Sequence, residues 1–337
     1  MTHRTPLKTQ VCRLLGCDYP IVSAGMGGVA RSELVAAVVA AGGYGLLGMV
    51  RESPELIRRE IAAVRERTER HFGVNLVPFG TDAALLDEEL AACFEAKAHS
   101  LCFFWDVRPD LIQRAREAGC KVLYQVGRLT DAIAAAAAGA DVIICQGVEA
   151  GGHVRGDVSS LGLLPQVVHA VEVPVLASGG FATGGGLVAA FALGAQGIHC
   201  GTAFLATHES FAHEFHKERV VEATSEQTVR SDVFAINWPP RSPARTLKNS
   251  VTEAHRDDLW GHGPDDFPRE VIGHEDRRPI YKFSTDSPLR NMTGQFEVMP
   301  PFAGQVCGLI EDICPAGERL RRIVWEAETI LAQFAPT

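Results

Sequence analysis

From residue 20 to about residue 205 the chain repeats one unit: a short apolar run of β type, a turn of small residues, then an alanine-rich amphipathic stretch. The strand-like runs are Pro20–Ala24, Gly43–Leu47, Phe72–Leu76, Ser100–Phe104, Lys121–Gln125, Asp141–Gln146, Val173–Ser178 and Gly197–Cys200. The helical patterns between them are Ser32–Ala41, Pro54–Arg67, Asp82–Ala98, Asp110–Ala118, Asp131–Ala138, Leu163–Val171 and Gly185–Leu193. Strict alternation of this kind predicts a parallel sheet, because each helical crossover returns the chain in the same direction. The runs are almost continuously apolar, as in Val142-Ile143-Ile144-Cys145, which suits strands covered on both faces. An open doubly wound sheet usually has about six strands and a G-x-G-x-x-G turn after the first. Here there are eight, and the first turn, Ser23-Ala24-Gly25-Met26-Gly27-Gly28, lacks that spacing. The expected fold is α/β, a closed (β/α)8 TIM barrel.

The rhythm stops near His208. Residues 208–302 are rich in charge, Pro, Arg and His, with a helical stretch at Phe211–Ala223 and a linker-like patch at Asn237-Trp238-Pro239-Pro240-Arg241-Ser242-Pro243. They read as an inserted, mostly helical lid domain. An apolar pattern resumes at Gly304–Ile313, and an amphipathic helix from about Ala316 to Phe334 supplies the last barrel helix. The barrel is thus expected from residues 1–207 and 303–337.

A net charge of −9 argues against nucleic-acid partners and against docking to an anionic membrane. The nine cysteines form no C-x-x-C pair, and several lie in apolar runs. They read as buried free thiols, which fits a reducing compartment. The segment Met1–Gln10 is polar and no apolar run reaches spanning length, so the expected location is the cytoplasm. A homodimer is compatible with these features.

A barrel places its chemistry at the carboxyl ends of its strands. Those ends deliver Ala24-Gly25-Met26, Asn75, Gln125, Gln146 followed by Glu149-Ala150-Gly151-Gly152-His153, Ser178-Gly179-Gly180, and Gly201-Thr202. The turns after the seventh and eighth strands are a frequent phosphate site. Glycines there let backbone N–H groups approach an anion, and Ser178 and Thr202 add hydroxyls. Asn75, Gln125 and Gln146 are carboxamides that end apolar strands and offer both donors and acceptors. His153 follows a Gly-Gly hinge, a position suited to acid–base or oxyanion-stabilising work; Glu149 is placed to orient either the imidazole or the loop. His208, His213 and His216 lack the H-E-x-x-H spacing of a zinc helix, so no metal is expected. Arg241, Arg245 and Lys248 read as a solvated face.

These residues resemble the nitronate monooxygenase family, formerly called 2-nitropropane dioxygenases. The resemblance runs from Pro20 to about Thr207 and resumes at Ala303-Gly304-Gln305-Val306-Cys307-Gly308-Leu309-Ile310. Its most specific pieces are Gln146-Gly147-Val148-Glu149-Ala150-Gly151-Gly152-His153 and Ala177-Ser178-Gly179-Gly180-Phe181-Ala182. Position 125 is Gln where many relatives carry Lys, and residues 225–300 match no recognisable pattern.

The resemblance implies a barrel binding flavin mononucleotide (FMN), with Ala24, Gly25, Met26, Asn75, Gln125, Gln146, Gly151, Ser178, Gly179, Gly180, Gly201 and Thr202 around the flavin and His153 facing the substrate. It implies oxidation of alkyl nitronates, or of nitroalkanes, by O2 to a carbonyl compound and nitrite. The alternative within the same fold is an NAD(P)H-dependent flavin reductase acting on a quinone or an enoyl thioester. A barrel that only binds a phosphorylated metabolite satisfies the glycine-rich turns as well.

Overall fold

The structure, a computed structural model, describes residues 7–334; the outer ends of the two expected barrel segments lie outside these. Eight parallel strands close into a barrel. They are β1 (Ile21–Ser23), β2 (Tyr44–Gly48), β3 (Gly73–Leu76), β4 (Ser100–Phe104), β5 (Lys121–Val126), β6 (Val142–Gln146), β8 (Val175–Ser178) and β9 (Ile198–Cys200). A two-residue strand, β7 (Gly152–His153), lies outside the barrel between β6 and β8. Closure is made by β1 on β9, with Val22 opposite His199. The expected helices occur at Ser32–Ala40, Pro54–Arg65, Ala83–Glu95, Pro109–Glu117, Leu129–Ala137, Ser160–Ala170 and Gly184–Ala192.

Period-two alternation along the strands divides the barrel interior into layers. Val22, Leu46, Cys102, Leu123, Val142, Ile144 and Leu176 form an apolar floor. A short helix, Gln10–Leu15, seals it from below with Val11, Cys12 and Leu15. One inward step further along, the same faces turn polar: Leu123 gives way to Gln125, Ile144 to Gln146 and Leu176 to Ser178. A layer of hydrogen-bonding side chains thus faces the mouth above a dry floor. The helix Ala316–Gln333 completes the outer ring; Glu326 accepts from the N–H groups of Gly184 and Gly185 at 2.8 and 3.1 Å, capping the helix that follows β8. All nine cysteines are free and buried. No helix among the described residues is long and apolar enough to cross a membrane.

The expectation of a mostly helical insertion is corrected. Residues 208–302 contain β10 (Thr228–Ser231) and β11 (Ala244–Leu247), which join β7 in one antiparallel sheet. They also contain β12 (Val271–Glu275), β13 (Arg278–Tyr281) and β14 (Met292–Gly294), which form a second. Helix is confined there to Glu214–Glu222, Ser250–Ala254 and short 3-10 turns. The helical stretch expected from Phe211 starts only at Glu214, because His213 takes the cap position, its Nδ1 accepting from Phe215 N–H at 3.1 Å. These strands are short, and their pairing depends on partners distant in sequence, so no local apolar period announces them.

Candidate active site

The sequence places a carboxamide or a small residue at nearly every strand end, and barrel closure brings those ends together around one cavity of ≈ 600 Å³. Its walls include Ala24, Gly25, Met26, Asn75, Gln125, Gln146, Gly151, His153, Ser178, Gly179, Gly180, Gly201 and Thr202. His153 and every residue expected around the flavin therefore reach the same space.

The turns after β8 and β9 form one wall. Gly179 and Gly180 have φ of 83° and 87°, in the left-handed region that glycine adopts without strain. A Cβ at Gly179 would lie 2.8 Å from the Gly147 carbonyl oxygen, so that position has no room for a side chain. The N–H groups of Gly179, Gly180, Gly201 and Thr202 meet no acceptor among the described residues. Unpartnered donors on two adjacent turns are what an anion requires. Thr202 Oγ1 also accepts from Gly304 N–H at 3.0 Å, tying this wall to the segment after the insertion.

The carboxamides divide into two kinds. Asn75 and Gln125 have no side-chain hydrogen bond among the described residues, and both line the cavity. Gln146 is already used: its Nε2 donates to the His153 carbonyl at 3.0 Å, and its Oε1 accepts from Arg155 N–H at 3.3 Å. It therefore braces the strand that carries His153. Ser178 Oγ pairs with His199 Nδ1 at 3.0 Å. His199 is fully enclosed, and burial pushes its imidazole down to about 3.

His153 lies on β7, pinned opposite Ala244 of β11, with Val154 N–H donating to Pro243 O at 2.9 Å. Its ring stacks on Trp238 and meets Trp105 edge-on at 6.1 Å and Phe302 at 6.0 Å. Nε2 is buried without a hydrogen-bond partner. Burial, reinforced by the nearby Arg51 cation, pushes the imidazole down to about 3, so it is neutral near pH 7. Glu149 does not touch the imidazole: its carboxylate accepts from Ser160 N–H and Oγ at 3.0 Å, which fixes the loop backbone instead.

Two readings of the insertion are corrected by its contacts. Asn237 and Trp238, read as linker, form part of the cavity wall. Arg245, read with Arg241 and Lys248 as a solvated face, is 7% exposed, and its Nη2 donates to Val148 O at 2.9 Å. It buttresses the loop from β6 to β7, whereas Arg241 and Lys248 are exposed. His216 is buried and donates from Nε2 to Phe302 O at 3.0 Å, which ties its helix to the end of the insertion.

Arg51, Glu52, Glu275, Arg278 and Asp286 also line the cavity, and none was singled out in the sequence. Arg278 pairs with Glu275 at 2.7 Å and with Asp286 at 2.8 Å. Arg31 pairs with Glu52 at 2.8 Å. The only sequence signal for Arg51 was its place just past the end of the second strand.

The model of the nitronate monooxygenase family matches residues 8–98 and 86–326 of this chain. A Mycobacterium tuberculosis protein named (3aS,4S,5R,7aS)-5-hydroxy-7a-methyl-1-oxo-octahydro-1H-indene-4-carboxyl-CoA dehydrogenase is 37% identical over 226 residues, covering 66% of this chain and 62% of that protein. The chain thus spans less than two thirds of that relative. FabK from Thermotoga maritima superposes with a TM-score of 0.83 at 30% identity, covering 97% of this chain and 98% of FabK. A nitroalkane oxidase from Streptomyces ansochromogenes superposes with a TM-score of 0.79 at 28% identity, covering 96% of this chain and 99% of that one.

Proposed function

Because this chain belongs to the nitronate monooxygenase family, whose relatives are named as oxidoreductases, we propose that it binds FMN and oxidises small alkyl nitronates with O2, giving a carbonyl compound and nitrite. The observation that carries this reading is the neutral imidazole of His153, with Nε2 unpartnered, in the same cavity as the donor-lined turns of Gly179–Gly180 and Gly201–Thr202.

The residues fit the cofactor. The unpartnered N–H groups of the two turns, with Ser178 and Thr202 beside them, would hold its phosphate. Asn75 and Gln125 supply free carboxamides for the polar edge of its ring, and Ala24, Gly25, Met26 and Gly151 are small or flexible enough to lie against a flat ring. Gln125 places a neutral donor and acceptor at this edge of the cavity, with no charge of its own. When bound, FMN supplies the one-electron chemistry that links substrate oxidation to O2.

The chain's own contribution is orientation and protonation. A neutral imidazole either donates a hydrogen bond to a nitronate oxygen or takes the α-proton of a neutral nitroalkane. Gln146 and Arg245 hold the strand and loop that present it. Trp238, Trp105 and Phe302 enclose it, which limits water near the reacting atoms.

The second reading, an NAD(P)H-dependent reductase of the same fold, is favoured by the resemblance to a CoA-substrate dehydrogenase and to FabK. Anaerobic mixing of the FMN-loaded protein separates the two. The nitronate reading expects reduction of the flavin by ethylnitronate and not by NADH or NADPH. Rapid bleaching by either nicotinamide, with none by nitronate, would establish the reductase.

A further inference from the structure

Buried cations are normally paired, because desolvating an isolated charge is costly. Arg51 lines the cavity and lacks a carboxylate partner among the described residues. The neighbouring carboxylates are committed elsewhere: Glu52 to Arg31, and Glu275 and Asp286 to Arg278. Asp286 also accepts from Asn237 Nδ2 at 3.2 Å. Glu89, which accepts from Glu52 N–H at 3.1 Å, is pushed up to about 8 by burial, so its neutral form predominates at pH 7. Arg51 donates to the Asn237 carbonyl oxygen, which satisfies one N–H and neutralises nothing. Its guanidinium carbon sits 4.7 Å from the ring centroid of Trp238. Trp238 stacks in turn on His153, and its Nε1 is buried without a partner.

Arg51 and Asn237 both hold positive φ, 57° and 72°. Non-glycine residues are kept in that region only where surrounding structure over-determines them, which happens most often at binding sites. The cavity therefore gathers an unpaired guanidinium, an unpartnered indole N–H and an unpartnered imidazole nitrogen on one aromatic stack. The guanidinium can donate into the cavity, and the two ring nitrogens are buried with no hydrogen-bond partner among the described residues.

We propose that Arg51 and Trp238 form the seat for the substrate's anionic oxygens and so determine specificity for small planar anions. This rests on the nitronate reading for the identity of the anion, and on the geometry alone for the existence of the seat. Arg51 supplies the charge and Trp238 a flat wall, and His153, stacked on that wall, lines the same cavity. A neutral analogue of the same shape gains none of the charge term.

The test is a binding titration of the FMN-loaded protein with nitrate and isobutyrate, which do not react, and with the neutral isobutyramide. Binding is followed by the flavin spectrum and by tryptophan fluorescence in wild type, Arg51→Gln, Arg51→Lys and Trp238→Phe. Loss of a charge-assisted hydrogen bond weakens binding by about 10- to 100-fold. The anion Kd is expected to rise by that factor in Arg51→Gln, less in Arg51→Lys, and by about 3- to 10-fold in Trp238→Phe, with isobutyramide unaffected. KM for ethylnitronate should follow the anion Kd while kcat changes little. Arg51→Lys carries the comparison if Arg51→Gln does not fold. No anion binding by wild type, or equal anion Kd in wild type and the Arg51 variants, overturns the seat. Arg51-dependent anion binding without nitrite from any nitronate removes the nitronate reading and keeps the seat. Nitrite formation with an unchanged KM in Arg51→Gln removes the seat and keeps that reading.

Discussion

The imidazole of His153 lies against the indole of Trp238 with ring centroids 4.0 Å apart and an interplanar angle of 21°. One residue comes from β7, after β6, and the other from the insertion, so this stack joins residues 208–302 to the barrel mouth. Replacing His153 by Ala or Gln should lower kcat/KM for nitronates by roughly 10²- to 10⁴-fold, the usual worth of a positioned acid–base group. Flavin content should be unchanged. Because the imidazole is already neutral, wild type and His153→Gln should share the shape of their kcat/KM profiles between about pH 5 and 8. Steady-state kinetics across that range checks both points.

Gly179 anchors the proposed phosphate wall. In Gly179→Ala the new Cβ meets the Gly147 carbonyl oxygen and the residue must keep φ near 83°. The strain should cost about 1–3 kcal/mol of stability. Flavin should be lost more readily, with FMN Kd rising at least about 10-fold, since distorted N–H groups no longer face the anion. Fluorescence of released flavin during dialysis measures it.

Arg245 tests whether the insertion positions the catalytic loop. Arg245→Met keeps much of the side-chain volume but removes the bond from Nη2 to the Val148 carbonyl. Loss of a buried, charge-assisted bond should destabilise by about 1.5–3 kcal/mol. Turnover and FMN affinity should both fall, because the braced loop packs against the Gly179 turn through Gly147 and Ala150. A thermal melt read beside kcat and FMN titration separates these effects.

Stability should decline on acidification. His153 and His199 are depressed to about 3, and His99 and His216 to about 4, chiefly by burial. Below about pH 6.5 the unfolded chain binds protons at these histidines that the folded chain does not, so folding weakens as pH falls from about 6.5 toward 3. Glu89, raised to about 8, acts in the opposite sense by favouring the folded state at lower pH. Glu52, also raised by burial, acts in the same sense as Glu89, and four depressed histidines against these two carboxyls make the net direction acid-labile. Melting temperature against pH checks it, and His216→Gln should flatten the slope.

The barrel was legible because its strands are buried on both faces and so read as apolar runs, with Lys121–Val126 and Val142–Gln146 found within a residue of their expected ends. The strand-end residues were legible for a related reason: Gln125, Gln146 and Ser178 interrupt those runs where the interior meets the mouth. β7 was not, because two residues carry no period and Gly152–His153 becomes a strand only by pairing with Arg245 and Ala244. β12 and β13 mix charges with apolar residues, β14 is three residues long, and β12 carries a register shift between Val271 and Gly273. Arg51 and Trp238 were invisible as a pair, since 187 positions separate them and only the cation–π contact unites them. Arg245 looked solvent-exposed because local charge density cannot reveal a carbonyl supplied by a distant loop.

The most direct test of nitronate oxidation is simultaneous measurement of O2 uptake and nitrite release when FMN-loaded protein meets ethylnitronate. The account predicts both, with nitrite abolished or nearly so in His153→Ala. Full flavin occupancy with no nitrite from ethylnitronate, propane-2-nitronate or propionate 3-nitronate would contradict it.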